Sequence, residues 1–263
     1  MSKILKDRIK LSGFNNLTKV LSFNLYDFCI TTNESQREDY IAYIDEIYNA
    51  KKIAAISQTI CDTIEANTLH LSMQDYDPVG ASTMLLMSDI KGGKWDAKVT
   101  ENTEPHTAQV SLHLDKSHIT AHTYPDASDP QGICSFRVDI DIATCGDIIP
   151  LNAINYLFEA FECDVVYVDY VVRGFTRTLD GKKIYIDHYF NSIQDFIRPD
   201  ILKSFQYRTD LNIGRENIWQ TKLMVGDYGA ERYLMDKKDV SHPDIENKMK
   251  LLHQEMREVY HLN

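Results

Sequence analysis

Cys134-Ser-Phe-Arg-Val-Asp-Ile-Asp-Ile-Ala-Thr-Cys-Gly146 decides the fold. Cys134, Phe136, Val138, Ile140 and Ile142 point one way and Ser135, Arg137, Asp139 and Asp141 the other, the period of two that a half-buried β-strand requires. A strand with one apolar and one polar side belongs to a sheet covered on one face, which is commonly an antiparallel sheet. Downstream, Pro150 suits the first turn of a helix that runs to about Glu162 and carries Ile154, Leu157, Phe158 and Phe161 on one side. Val165 to Val172 returns as a strand, and Asp180-Gly181 predicts a hairpin turn into a further strand from Lys183 to Phe190.

Working upstream, Val110, Leu112 and Leu114 alternate with polar residues as a second half-buried strand would. Lys91 to Thr107 is polar, contains Gly92-Gly93 and Pro105, and reads as a long surface loop. Thr83 to Met87 and Thr68 to Met73 are two short strands on either side of the turn cluster Asp77-Pro78-Val79-Gly80. From about Ser35 to Glu65, Ile41, Ile44, Ile47, Ile56, Ile60 and Ile64 keep helical spacing, with Asn33 placed as the cap. The tail from Asn191 reads as mainly helical, ending in a helix marked by Ile245, Met249, Leu252, Met256 and Val259. Alternating strands with separate helices predict an α+β fold, a two-layer sandwich of a mainly antiparallel sheet with helices packed on one face. The 263 residues form one domain on this reading, with a weak boundary signal near residue 190.

A net charge of −11 opposes a nucleic-acid partner, since phosphate binding needs a basic surface. Five widely spaced cysteines without a CxxC pair fit neither a disulfide framework nor a zinc site. No apolar run reaches the roughly 18 residues that span a bilayer, and Met1 to Lys10 lacks a signal-peptide core. These features predict a reduced, cytoplasmic protein without a membrane segment.

The chemistry-bearing residues lie close in sequence. Leu114-Asp-Lys-Ser-His-Ile-Thr-Ala-His-Thr-Tyr-Pro125, followed by Ala143-Thr-Cys-Gly146, supplies a serine, histidines and a cysteine, the group types used by covalent and acid-base catalysis. Taken singly, Ser117 reads as a polar residue at a strand start, His122 as a hydrogen-bonder near a turn, and Cys145 as a buried inert thiol. Ser117 and His122, five residues apart, would stand on opposite faces of an undistorted strand, so their cooperation would need a bend between them.

Together, however, Lys-Ser-His-Ile-x-x-His-Thr-Tyr-Pro and the downstream Thr-Cys-Gly resemble the self-processing site of the prokaryotic S-adenosylmethionine decarboxylases, in their longer bacterial class. Gly13 to Thr18, Tyr40 to Glu46, Arg173 to Arg177 and Glu255 to Glu258 extend that likeness along most of the chain. The resemblance implies that Ser117 attacks the carbonyl of Lys116, cutting the chain into 1–116 and 117–263 and leaving Ser117 as a pyruvoyl group. That cofactor would form a Schiff base with the substrate amine and hold the electron pair left by carbon dioxide. It also implies that His122 helps remove the serine α-proton and that Cys145 protonates the substrate α-carbon. Gln74 to Ser82 matches a further family element, by which Tyr76 would stack on adenine and Ser82 would polarise the carbonyl during the acyl shift. Asp126 occupies the place of a family glutamate that contacts the nucleoside. His118, adjacent to the serine, has a weaker case for a role, and the other four cysteines have no such match.

The substrate implied is S-adenosylmethionine, giving the aminopropyl donor for spermidine synthesis, with processed αβ pairs assembling to four and with magnesium dependence. The carboxylates are scattered and locate no magnesium site. Two rivals remain at this level: a pyruvoyl-dependent decarboxylase of ornithine or arginine, and an unprocessed regulatory homologue. Tyr76 with Ser82 favours a nucleoside substrate over the first, and the joint presence of Ser117, His122 and Cys145 disfavours the second.

Overall fold

The computed structural model describes residues 11–88 and 117–261; Lys116, the loop expected over Lys91 to Thr107 and the alternating Val110, Leu112 and Leu114 lie outside them. Its centre is β2 (Thr18–Ile30), a 13-residue strand that pairs with β6 (Ile133–Cys145) on one side and β7 (Val165–Arg173) on the other. Around it an eight-stranded antiparallel sheet runs β10-β11-β7-β2-β6-β5-β4-β3, adding β3 (Asn67–Asp75), β4 (Ala81–Ser88), β5 (Ser117–Asp126), β10 (Phe205–Ile213) and β11 (Ile218–Val225). A small second sheet joins β1 (Leu11–Asn15), β8 (Thr176–Thr178) and β9 (Lys183–Ile184).

The expected α+β class and the Cys134 strand hold, and the register explains the layering. Leu21, Phe23 and Leu25 pair with Ile142, Ile140 and Val138, so these side chains share one buried face. On that face lie α1 (Glu34–Ile47), α2 (Ala50–Thr63) and α3 (Ile154–Ala160), with Phe23 meeting Phe158 edge-to-face at 5.1 Å and Ser57 bonded to Thr83 at 3.0 Å. The helical pattern predicted as one helix from Ser35 to Glu65 is two. Asn49 accepts from the Lys52 amide as a second N-cap, as Asn33 does from Gln36, so the chain turns between them. The Pro150 helix opens as a 3-10 turn, Pro150–Ala153, before α3.

Two expectations for the C-terminal half fail. Asp180-Gly181 does form a turn, but between the short β8 and β9, and no strand continues to Phe190. The tail is not mainly helical: β10 and β11 form a long hairpin that extends the main sheet through β7, carrying it across residue 190. A single helical turn, α4 (Pro199–Leu202), precedes this hairpin, and the long C-terminal helix α5 (Ile245–His261) follows it. α5 adds to the expected layering, because it crosses part of the other sheet face: the Tyr167 hydroxyl donates to the Val259 carbonyl and Thr209 bonds Tyr260 at 2.6 Å. No helix among the described residues is long and apolar enough to cross a membrane.

Candidate active site

β5 and β6 carry the site, and their pairing settles which residues meet. Ser117 opens β5 as a buried residue, and its Oγ accepts a hydrogen bond of 3.0 Å from the Cys145 backbone N–H at the end of β6. Two motifs 28 residues apart in sequence are thereby joined at one end of the sheet. Cys145 is the one exposed thiol of the five, and all five are free. Burial pushes the Cys29, Cys61, Cys134 and Cys163 thiols up, which keeps them protonated and unreactive.

His122 stands elsewhere. β5 alternates regularly from Ser117 to Thr123 and keeps register with β6 throughout, so the bend that would turn Ser117 and His122 to one face is not formed. Five residues of strand separate them by about 17 Å. His122 lies on the half-exposed polar face, directly opposite Ser82 on β4 and Asp139 on β6. Its ring runs parallel to that of Tyr124, 6.3 Å away, and the Arg137 guanidinium sits 5.2 Å over Tyr124 while forming a two-point ion pair with Asp139 at 2.9 and 2.5 Å.

The Gln74 to Ser82 element docks beside this pair. The Tyr76 amide donates to the Gly80 carbonyl at 2.8 Å, and Ala81 N–H donates to Thr123 Oγ1 at 2.7 Å. Gly80 has φ +106°, and a Cβ there would come within 2.9 Å of the Thr123 carbonyl, so only glycine lets the turn close onto β5. Tyr76 remains partly exposed beside it, and Asp126 ends β5 exposed, its Oδ1 taken by the Ser128 amide at 2.8 Å. The structure thus gathers the candidates into two groups, Ser117 with Cys145 and Ser82 with His122, Tyr76 and Asp126.

Beneath the first group is a network the sequence reading missed. Lys19, fully buried on β2 beside Thr144, donates to the carbonyl of Gly146 at 2.7 Å and to Asp187 at 2.8 Å. Asp187 Oδ1 also meets His188 Nδ1 at 2.7 Å, and His188 Nε2 reaches the Tyr170 hydroxyl at 3.2 Å. Burial opposes ionisation of Asp187, but the bond from His188 and the Lys19 ammonium outweigh it and hold the carboxyl down at about 2. A signal existed: in Leu17-Thr-Lys-Val-Leu-Ser-Phe23 the lysine takes a core-facing position among alternating apolar residues. Among the described residues no three His, Cys, Asp or Glu side chains converge as metal ligands.

With this geometry in view, comparison with known proteins is decisive. Residues 39–174 match the family model for S-adenosylmethionine decarboxylase. The chain belongs to that family. It is 46% identical to the S-adenosylmethionine decarboxylase proenzyme of Yersinia pseudotuberculosis over 97% of both chains, and 46% identical over the same shares to that of Yersinia enterocolitica. The crystal structure of the adenosylmethionine decarboxylase from Aquifex aeolicus aligns with 61% of this chain and 91% of its own, at 15% identity and a TM-score of 0.35.

Proposed function

We propose that the chain is a proenzyme that cuts itself between Lys116 and Ser117 and then decarboxylates S-adenosylmethionine. The observation that supports this most directly is the hydrogen bond from the Cys145 backbone N–H to Ser117 Oγ, which places the serine beside the residue that the resemblance makes the proton donor. A backbone N–H aimed at the hydroxyl oxygen favours its alkoxide form, as a nucleophile needs. In the acyl shift Ser117 Oγ bonds to the Lys116 carbonyl carbon and the amide nitrogen departs with a proton, giving an ester. β-Elimination takes the Ser117 α-proton and releases the Lys116 carboxylate, leaving dehydroalanine; water then replaces its nitrogen, which leaves as ammonia. The resulting pyruvoyl ketone supplies an acceptor for the substrate amine and for the electron pair that carbon dioxide leaves behind.

The remaining roles belong to the chain's own side chains. Cys145, exposed at the strand end beside Ser117, delivers the proton to the substrate α-carbon. Tyr76 offers an aromatic platform for adenine, and Asp126 a carboxylate for the ribose hydroxyls. Ser82 and His122, opposite each other on β4 and β5, serve the acyl shift and the elimination. β5 holds that pair about 17 Å from Ser117 within one chain. Assembly of processed αβ pairs, which the family resemblance implies, is part of the same proposal. No step is assigned to magnesium.

The experiment is an intact-mass measurement of denatured protein, wild type beside Ser117→Ala. Fragments 1–116 and 117–263, the latter starting with a ketone, are expected from the wild type, and one uncut, inactive chain from Ser117→Ala. Cleavage or decarboxylation in the variant overturns the reading.

A further inference from the structure

β10 is the outermost strand of the main sheet, and every residue after Phe205 is exposed. Such edges invite pairing, and proteins ordinarily blunt them with lysine, proline or a bulge. β10 contains neither lysine nor proline; its bulge is confined to its start, between Phe205 and Tyr207, and its register with β11 is regular from Tyr207 to Ile213. Exposed Tyr207, Leu211 and Ile213 line it.

Its sequence is complementary to itself. Tyr207-Arg-Thr-Asp-Leu211, laid antiparallel on a second copy about Thr209, sets Arg208 against Asp210 and Tyr207 against Leu211. Cation meets anion and apolar meets apolar, twice each under a two-fold axis. Register slips that keep the faces matched are penalised: centring on Arg208 opposes the two arginines, and centring on Asp210 opposes the two aspartates, here with Asn212 Nδ2 already donating to Asp210 at 3.0 Å. Arg208 and Asp210 project to one face and Tyr207, Thr209 and Leu211 to the other, where Thr209 is braced by Tyr260.

We propose that β10 is an interface at which two copies of this chain join edge to edge in this register, continuing the eight-stranded sheet of one into the other. The surface is distinct from the polar sheet face.

Charge exchange tests it. Arg208→Asp, Asp210→Arg and the double variant are compared with wild type by sedimentation velocity over a range of concentrations. Each single variant places like charges opposite each other twice, so the midpoint concentration for assembly should rise at least about 10-fold. The double variant exchanges the charges without altering complementarity and should return to within about 3-fold of wild type. Single variants that assemble like wild type, a double variant as weak as the singles, or a wild type that never exceeds one αβ unit would each overturn the proposal. Denaturing mass of the same samples reports cleavage at Lys116–Ser117, so a failed interface and a failed proenzyme reading are told apart.

Discussion

β2 carries two charged residues into the helix-covered side of the sheet, Lys19 near its start and Asp27 near its end, and the two ends treat a buried carboxyl in opposite ways. At the Lys19 end, Asp187 is fully buried yet stays ionised with its pKa down at about 2, because an ammonium and an imidazole both bond it directly. At the Asp27 end, Asp164 accepts from Arg232 Nη2 at 2.9 Å and from the Phe28 amide at 3.0 Å, leaving Asp27 no cation of its own. Burial and then the charge of Asp164 push the Asp27 carboxyl well above the usual range, and it is held protonated as a donor to Asp164. A cavity of about 290 Å³ opens there, lined by Tyr40 and Tyr233, whose buried hydroxyls lack a partner among the described residues. Burial alone therefore does not fix the charge of an acid; the nearest donor does, and the end with the complete ion pair is the end that supports Ser117 and Cys145.

The largest effect should come from removing Lys19. Lys19→Met keeps the volume but strands a buried carboxylate, which costs roughly 3–5 kcal/mol in comparable cases. It also frees the Gly146 carbonyl, so cleavage at Lys116–Ser117 should slow. Lys19→Met/Asp187→Asn, which removes both charges, should regain much of the stability without restoring the wild-type cleavage rate. Urea denaturation and timed denaturing gels measure the two separately; a single variant losing less than about 1 kcal/mol would mean that Asp187 does not depend on Lys19.

The contrast also shows what was legible. The strand from Cys134, the turn at Asp77 to Gly80 and the last helix were readable because one face is apolar or because Gly and Pro punctuate the chain. β10 was not, since an edge strand exposed on both sides gives no apolar face to detect, although Phe205, Tyr207, Thr209, Leu211 and Ile213 do alternate with polar residues. The meeting of Ser117 with Cys145 follows from β5 pairing with β6, which proximity of motifs suggests but cannot establish. Asp187 and His188, some 170 residues from Lys19, carried no local signal at all, because an ion pair is made by the tertiary fold.

A smaller effect of opposite sign should follow at the other end of β2. Asp27 keeps a proton in the folded chain that the unfolded chain releases above about pH 4. Its contribution is therefore greatest in acid and is lost as pH rises through the folded value. Asp187 behaves oppositely, contributing above about pH 4 and failing only as pH falls toward about 2. Asp27→Asn keeps a donor for Asp164 without an ionisable proton, so it should stabilise the protein by about 1–2 kcal/mol at pH 8 and much less at pH 5. Asp187→Asn should destabilise it at both. Equal responses of the two variants to pH would erase the distinction between the two ends.

Glu255 on α5 sharpens the comparison from an intermediate position. Burial first, and then the charges of Asp129, Asp126 and Glu258, push its carboxyl up to about 7. Burial and neighbouring carboxylates act on it as they do on Asp27, but Glu255 is only half-buried and water screens its neighbours. The folded chain binds a proton here that the unfolded chain has lost above about pH 4.5, so stability should fall as pH rises toward 7 and remain lower beyond it. Glu255→Gln should remove that loss and raise Tm above pH 7, by no more than about 1 kcal/mol of stability, with no gain at pH 5. Because Asp126 also faces the proposed nucleoside site, relieving this repulsion without changing cleavage at Lys116–Ser117 would show that the acid cluster at the end of β5 limits stability independently of maturation. A gain of the same size at both pH values would instead assign the effect to packing of α5 against the sheet rather than to charge.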